Sequence, residues 1–224
     1  MTVLALVLYV LWLAQGIALR AIIQHRRTGD TGLRGFGGQR GSAEWWSSLL
    51  LVGGHVGGVL GPAWALFGLP LLADVSGLRV AGLVVVLVGI LVSLVSQLAL
   101  GDSWRIGVQH SEQTSLVTGG PYSLVRNPIF SSVLLTVIGF VLMAPSVLSV
   151  ALFAVLVLGV ETQVRLIEEP NLRQVHGVAY RHYTARVGRF VPGLGRTRHA
   201  TSGESTTAHG TGIPSSGSTR SSRG

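Results

Sequence analysis

The chain has no lysine and no cysteine among its 224 residues, and only 12% of its residues are charged. Without cysteine, thiol catalysis, disulfide bonds and thiolate metal sites are excluded. Without lysine, Schiff-base chemistry and phosphate binding through a P-loop lysine are excluded as well. The seven histidines are scattered and show no zinc-site spacing, so we predict no metal.

Apolar residues make up 48% of the chain, which is typical of a polytopic membrane protein. We predict an all-α fold of about five transmembrane helices at residues 2–23, 47–72, 80–100, 129–144 and 146–167. Most of these segments reach the roughly 20 residues that cross a bilayer. The fourth has only 16 residues, so we predict that it forms a tight helical hairpin with the fifth, turning at "MAPS".

The 17 basic residues are all arginine, and most flank the apolar segments on one side of the predicted membrane. Arg79 alone falls on the other side. By the positive-inside rule, we expect an outer amino terminus and a cytoplasmic carboxyl terminus. The net charge of +8 therefore reports orientation, and we predict no nucleic-acid partner.

Glycines cluster in the second apolar segment at small-xxx-small spacing, at positions 53, 54, 57, 58 and 61. We predict that they let helices approach closely. The alternative, a nucleotide-binding loop, lacks a preceding strand pattern. The stretch "LRGFGGQRG" at 33–41 is typical of a flexible cytoplasmic loop.

After the fifth segment, apolar residues recur at helical spacing and predict a cytoplasmic amphipathic helix lying against the protein or the bilayer surface. These residues are Leu172, Val175, Ala179, Tyr183, Val187 and Phe190. From about residue 197 the chain is rich in Ser, Thr and Gly, which predicts a disordered tail over 197–224. We therefore expect one membrane domain over residues 1–196.

The stretch "LVTGGPYSLVRNPIF" at 116–130 precedes the fourth segment. Asn127 and Pro128 are the residue types that begin helices, as N-cap and first helical residue. Arg126 stands beside that helix start, where its fork and the helix dipole would together attract an anion. The alternative is an arginine that faces lipid headgroups, and the sequence leaves both open.

The end of the fifth segment carries ionisable residues at helical spacing. Glu161 and Arg165 are four apart, and Glu168 and Glu169 follow Arg165 at three and four residues, so a charged network can line one helical face. Such groups at a membrane boundary are a functional hypothesis by default. The alternative is a salt-bridged helix end, with Glu161 paired to Arg165 only for solvation.

Several motifs in order now resemble one family. "LVTGGPYSLVRNPIF", a helical hairpin, "IEEPNL" and "HGVAYRHYTARVGRFVP" closely resemble the isoprenylcysteine carboxyl methyltransferase family and its phospholipid methyltransferase relatives, over about residues 80–195. The preceding "GDSWRIGV" is similar to the stretch found ahead of this motif in bacterial members, which implies a bacterial inner membrane. Eukaryotic members carry Arg-His-Pro where this chain has Arg-Asn-Pro.

The resemblance implies an integral membrane enzyme that uses S-adenosylmethionine and a lipophilic acceptor that enters from the bilayer. It implies cofactor-binding roles for Gly120, Tyr122, Arg126, Asn127, Pro128, Glu168, Tyr180 and Tyr183. It also implies a catalytic half of the domain at about 101–195, in which the catalytic candidates are Arg126, Glu168 and Glu169. We hypothesise that Arg126 holds a carboxylate of acceptor or cofactor, while Glu168 or Glu169 receives the cofactor's ribose hydroxyls or ammonium.

Three acceptors stay open: a prenylcysteine-like carboxylate, a phospholipid amine and a small thiol. A carboxylate is ionised at neutral pH and needs no catalytic base, whereas an amine or thiol must lose a proton, for which a glutamate could serve. Two other classes also stay open. One is an NADPH-dependent membrane reductase, since sterol reductases resemble this family in their carboxyl-terminal half, and the other is a non-catalytic membrane scaffold.

Overall fold

The computed structural model describes residues 1–31, 38–101 and 115–197. Seven α-helices lie in this part of the chain: α1 (Thr2–Leu13), α2 (Arg20–Thr28), α3 (Ala43–Leu66), α4 (Ser76–Ala99), α5 (Pro128–Met143), α6 (Val147–Thr162) and α7 (Glu169–Arg186). Two π-helical turns, Ala14–Leu19 and Gln163–Glu168, make α1–α2 and α6–α7 continuous. The predicted all-α class is confirmed.

Four of these continuous helices are long and apolar enough to cross a membrane: Thr2–Thr28, Ala43–Leu66, Ser76–Ala99 and Val147–Arg186. Helix α5 is apolar but has 16 residues, a length of about 24 Å at the α-helical rise. Large apolar side chains on the helices are exposed, such as Val10 and Leu91, each 60% accessible. An outer surface of this kind is expected to face lipid, and the chain is an integral membrane protein.

The boundaries of the apolar segments follow capping residues. Helix α5 begins at Pro128, as predicted, because a first-turn residue needs no backbone N–H donor. Helix α6 begins with a reciprocal capping box, in which Ser146 and Ser149 each accept a hydrogen bond from the other's backbone N–H. Together these signals confine the α5–α6 connection to the three residues 144–146.

Close helix packing depends on glycine, as predicted for the second segment. A Cβ added at Gly54 would lie 2.5 Å from the Cα of Leu156, and one at Gly82 would lie 2.7 Å from the carbonyl oxygen of Gly139. These contacts place α3 along α6 and α4 along α5. Helices α5 and α6 form the predicted hairpin but pack less closely on each other than expected. Each of them packs more extensively on another helix, α5 on α4 and α6 on α3.

Different contacts join the helices at the two ends of the bundle. At one end, the N–H of Leu72 donates to the carbonyl of Pro145 at 2.8 Å, which joins the α3–α4 and α5–α6 connections. At the other end, the Ser47 hydroxyl donates to Oε1 of Gln163 at 2.7 Å. The start of α5 and all of α7 lie at this second end. We call it the arginine-rich end, since Arg126, Arg165 and the arginines of α7 lie there.

The predicted amphipathic helix differs from expectation in its form. It is not a separate helix, because α7 continues α6, and it ends at Arg186 before Val187 and Phe190. Its buried residues are mainly polar or aromatic: Glu169, Asn171, Tyr180, Tyr183 and Thr184. The periodicity fails because Gly177, at φ 49° and ψ −115°, interrupts the helix and shifts the inward face.

Some predictions fall on residues that the structure does not describe. The tail is described only at Thr197. The "GDSWRIGV" motif lies outside the described residues except for Gly101, and most of "LRGFGGQRG" does too.

Candidate active site

The stretch 116–130 folds into a tight turn below α5. Gly120 has φ 58°, a left-handed conformation that favours glycine, and it begins the 3₁₀ turn Gly120–Ser123. The turn buries the Tyr122 side chain, and Arg126 follows it in the chain and is also buried. The glycine turn and the proline at the start of α5 therefore flank one buried tyrosine and one buried arginine.

The Arg126 side chain is buried, with 1% of its surface accessible. Its Nη1 donates to the carbonyls of Thr184 and Val187 at 3.1 and 3.0 Å. Its Nη2 donates to Oε1 of Glu169 at 2.9 Å and to the carbonyl of Gly195 at 3.1 Å. The guanidinium therefore points into the protein, and the alternative of an arginine facing lipid headgroups is wrong.

Glu169 is the acceptor at the centre of this cluster, with 2% of its side chain accessible. Besides Arg126, it binds the fork of Arg189, with Nε to Oε1 at 2.7 Å and Nη2 to Oε2 at 2.9 Å. Nη2 of Arg173 donates to Oε2 at 3.1 Å. Glu169 thus accepts hydrogen bonds from three arginines, and only Arg126 among them was predicted as a site residue from the sequence.

The protonation state of Glu169 follows from these contacts, since α7 lies beyond the apolar part of its helix. Burial alone would raise the pKa of the carboxyl group. The hydrogen bond from Arg189 and the charge of Arg126 outweigh burial and hold the pKa below its ordinary value. Glu169 is therefore ionised at neutral pH and is a poor general base.

The segment 187–197, here called the carboxyl-terminal loop, joins the start of α5 to the end of α7. The N–H groups of Arg126 and Asn127 donate to the carbonyls of Gly188 and Arg189 at 2.8 and 3.1 Å. The Ser131 hydroxyl donates to the carbonyl of Phe190 at 2.8 Å. The loop is therefore part of the site.

Asn127 occupies the N-cap position of α5, but its side chain does not cap the helix. Its Nδ2 instead donates to the carbonyl of Arg189 at 3.2 Å. The backbone N–H of Asn127 donates to the same carbonyl, so Asn127 joins the start of α5 to the carboxyl-terminal loop. Asn127 therefore lies at the predicted N-cap position, without a side-chain capping bond.

The three tyrosines predicted for the site lie together. The Tyr183 hydroxyl donates to the carbonyl of Tyr122 at 2.5 Å, and the rings of Tyr180 and Tyr183 have centroids 6.1 Å apart. Burial raises the pKa of Tyr122 and Tyr180, and it raises the pKa of Tyr183 to about 12. All three phenols are therefore neutral at physiological pH.

The two other carboxylates predicted near the site, Glu161 and Glu168, are less buried than Glu169. Glu168 is half-buried, accepts from Nε2 of Gln163 at 3.3 Å, and adds to the raised pKa of Tyr122 through its charge. Glu161 pairs with Arg165 at the surface. The predicted single charged face is therefore divided: Glu161 and Arg165 form the salt-bridged helix end, while Glu169 faces inward.

Two arginines of the cluster were missed as site residues. Arg173 lies four residues after Glu169 on α7, a spacing that the sequence contains. Arg189 lies 20 residues after Glu169, beyond the helix end, and no helical spacing links the two. Among the described residues, no group of three or more histidine or carboxylate side chains is placed to hold a metal ion.

Part of the chain matches a known family model. Residues 78–179 match the model described as phospholipid methyltransferase. These residues, here called the family segment, make up just under half of the chain and are similar to the phospholipid methyltransferases. The family segment contains Gly120, Tyr122, the 126–128 stretch, Glu168 and Glu169, whereas Tyr180, Tyr183 and Arg189 follow it.

One curated relative supports the same grouping of methyltransferases. The chain is 32% identical over 113 residues to protein-S-isoprenylcysteine O-methyltransferase A of Arabidopsis thaliana. The alignment covers 50% of this chain and 57% of the relative, so the chain spans just over half the length of that enzyme. The resemblance to the isoprenylcysteine and phospholipid methyltransferases is confirmed.

Proposed function

We propose that this chain, which is similar to the phospholipid methyltransferases over residues 78–179, is an S-adenosylmethionine-dependent methyltransferase that acts on a lipophilic acceptor at the membrane. The observation that carries the proposal is the buried Arg126–Glu169 cluster, which lies within the family segment at the ends of apolar helices. We infer that a ligand whose tail stays in the bilayer can bring its polar group to this end of the helices.

The cofactor-binding assignment rests on charge and aromatic surface. S-adenosylmethionine would supply a methyl group on a cationic sulfur, together with ribose hydroxyl and ammonium donors. Tyr122, Tyr180 and Tyr183 offer neutral aromatic rings, which favour a nearby cation. Glu168 and Glu169 offer carboxylates for the donors, and Gly120, Asn127 and Pro128 shape the turn that holds Tyr122 and Arg126.

Arg126 binds several protein acceptors in the site and has one N–H donor, at Nε, left for a ligand. Both terminal nitrogens bind protein acceptors, whereas its Nε is buried and has no hydrogen-bond partner in the structure. A buried unpaired donor is costly, so a carboxylate or a water molecule at Nε would be stabilised. We assign this N–H to a carboxylate of the acceptor or cofactor.

The acceptor that best suits this site is a carboxylate on a lipophilic group. Methyl transfer to a carboxylate is an in-line displacement: the oxygen–methyl bond forms as the sulfur–methyl bond breaks, and no proton moves. Such a step needs positioning and removal of water from the nucleophile. Glu169, with its lowered pKa, would be poorly suited to deprotonate an amine or a thiol.

We place the site on the cytoplasmic face of a bacterial inner membrane. Arg26 and Arg27 end α2 at the arginine-rich end, and Arg40 precedes α3 there. Arg79 lies at the opposite end, where it pairs with Asp74. This asymmetry favours a cytoplasmic arginine-rich end. Cysteine accessibility labelling at positions 30 and 73 in intact cells tests it, because only position 73 should react from outside.

Equilibrium binding to detergent-purified protein tests the cofactor. We expect S-adenosylmethionine to bind and NADPH not to bind, with Arg126→Ala losing both affinity and turnover. Binding of NADPH alone would favour a membrane reductase, and binding of neither cofactor would favour a scaffold. If Arg126→Ala kept cofactor affinity and turnover intact, the assignment of Arg126 would fail.

The acceptor class is tested with matched lipids. Turnover is measured with a prenylated thioether carrying a free carboxylate, with its methyl ester, and with a phospholipid amine. We expect methylation of the free carboxylate alone. Methylation of the amine would instead assign the chain to phospholipid N-methylation.

A further inference from the structure

The carboxylate of Glu169 is fully occupied by protein donors. Oε1 accepts from Nη2 of Arg126 and Nε of Arg189, at 2.9 and 2.7 Å. Oε2 accepts from Nη2 of Arg189 and Nη2 of Arg173, at 2.9 and 3.1 Å. A carboxylate has about four lone-pair positions, so a ligand donor must displace one of these bonds.

The three arginines differ in how firmly they are held. The accessible fraction of the side chain is 1% for Arg126, 15% for Arg189 and 49% for Arg173. Arg189 binds both carboxylate oxygens through a planar fork, a geometry more specific than a single contact. Arg173 makes one bond, at the longest distance of the set.

Backbone contacts fix Arg189 further. Its carbonyl accepts from the backbone N–H and from Nδ2 of Asn127, and its own N–H donates to the carbonyl of Leu194 at 2.8 Å. Arg189 is therefore tied to the start of α5 as well as to Glu169. Arg173 lies on the half-exposed side of α7, where release of its side chain returns the charge to water with little loss.

We propose that these two arginines act in opposite directions on ligand binding at Glu169. Arg189 is a positioning residue that fixes the orientation of the Glu169 carboxylate. Arg173 occupies the place on Oε2 that a hydroxyl or ammonium donor of the cofactor takes, and it is displaced when the cofactor binds. This inference rests on the proposed function, in which Glu169 binds such a donor.

The test is the dissociation constant of S-adenosylmethionine for purified full-length protein and four variants. For Arg189→Ala we expect affinity about tenfold weaker, the effect of losing a hydrogen-bonded charged partner. For Arg173→Ala we expect affinity up to about fivefold tighter, because the competitor is an exposed ion pair. Arg189→Lys, which keeps the charge without the fork, should fall between wild type and Arg189→Ala.

Arg186→Ala is the matched control for net charge. Arg186 is exposed at the end of the same helix, so its removal changes the charge of α7 equally without touching the cluster. We expect its affinity to equal that of wild type. If Arg186→Ala and Arg173→Ala tightened binding by the same factor, the effect would be general electrostatics and the displacement by Arg173 would be refuted.

A pH series separates positioning from a merely structural role of Arg189. The Arg189 hydrogen bond lowers the Glu169 pKa, so Arg189→Ala should raise it. As the pH is lowered, Glu169 becomes protonated and cofactor affinity declines. This decline should begin at a higher pH in Arg189→Ala than in wild type. A parallel loss at every pH, with Arg173→Ala weakened as well, would overturn the proposal. Failure of the proposed function would differ, because wild type itself would bind no cofactor.

Discussion

Replacing Glu169 with alanine should strongly destabilise the protein, because it removes the carboxylate from the buried guanidinium of Arg126 and from the largely covered guanidinium of Arg189. The Arg126 and Arg189 side chains are 1% and 15% accessible, so water cannot replace the lost partner at Arg126 and replaces it only in part at Arg189. Breaking a buried ion pair in this way costs about 3–5 kcal/mol. The half-exposed Arg173 adds less than about 1 kcal/mol. We therefore expect a loss of about 3–5 kcal/mol in total.

The assay is thermal and denaturant-induced unfolding of detergent-purified wild type and Glu169→Ala, followed by circular dichroism. Double-mutant cycles then apportion the loss, with Glu169→Ala combined either with Arg126→Met or with Arg173→Met. We expect a coupling energy above about 2 kcal/mol for Arg126 and below about 1 kcal/mol for Arg173. A total loss below about 1 kcal/mol, or equal couplings for the two arginines, would refute the reasoning.

Other predictions concern the same contacts. Glu169→Gln should destabilise the protein less in acid than at neutral pH. The Glu169 pKa is lower in the folded protein than its ordinary value of 4.5, so its charge stabilises the fold above about pH 4.5, and this stabilisation is lost as the pH falls through the folded-state pKa. Gly54→Ala should unfold at lower temperature than Gly53→Ala, since a Cβ at position 54 lies 2.5 Å from Leu156 Cα, whereas position 53 allows ordinary contact at 3.8 Å. Tyr183→Phe should lose about 1 kcal/mol with its hydrogen bond. Glu161→Gln should change stability by less than about 1 kcal/mol, as an exposed pair; a larger effect would place Glu161 in the site.

Much of the fold could be predicted from local sequence. Apolar length and helix-start residues located the helices, and the start of α5 at Pro128 agrees with the predicted segment to one residue. Glycine spacing predicted close packing because a missing Cβ has a direct steric consequence at Gly54 and its neighbours. The amphipathic helix was less well predicted, since periodicity cannot anticipate a break at Gly177.

The candidate site was predicted in part, for a physical reason. Arg126 was singled out because it stands beside a helix start, and Glu169 because charges at a membrane boundary are rare. Nothing in their spacing indicated that they bind each other across 43 residues. Arg189 was missed because its contact with Glu169 depends on how the carboxyl-terminal loop folds back on α5. Long-range pairing of this kind is set by tertiary structure rather than by local pattern.

The most direct test of the central claim is methyl transfer itself. Purified protein is incubated with S-adenosylmethionine labelled in its methyl group and with a total membrane lipid extract, and the lipid-extractable products are separated and treated with base. We predict label in a lipophilic product from which base releases it, as from a methyl ester, and no labelled product when Arg126→Ala replaces wild type. The absence of any labelled product with wild type would contradict this prediction.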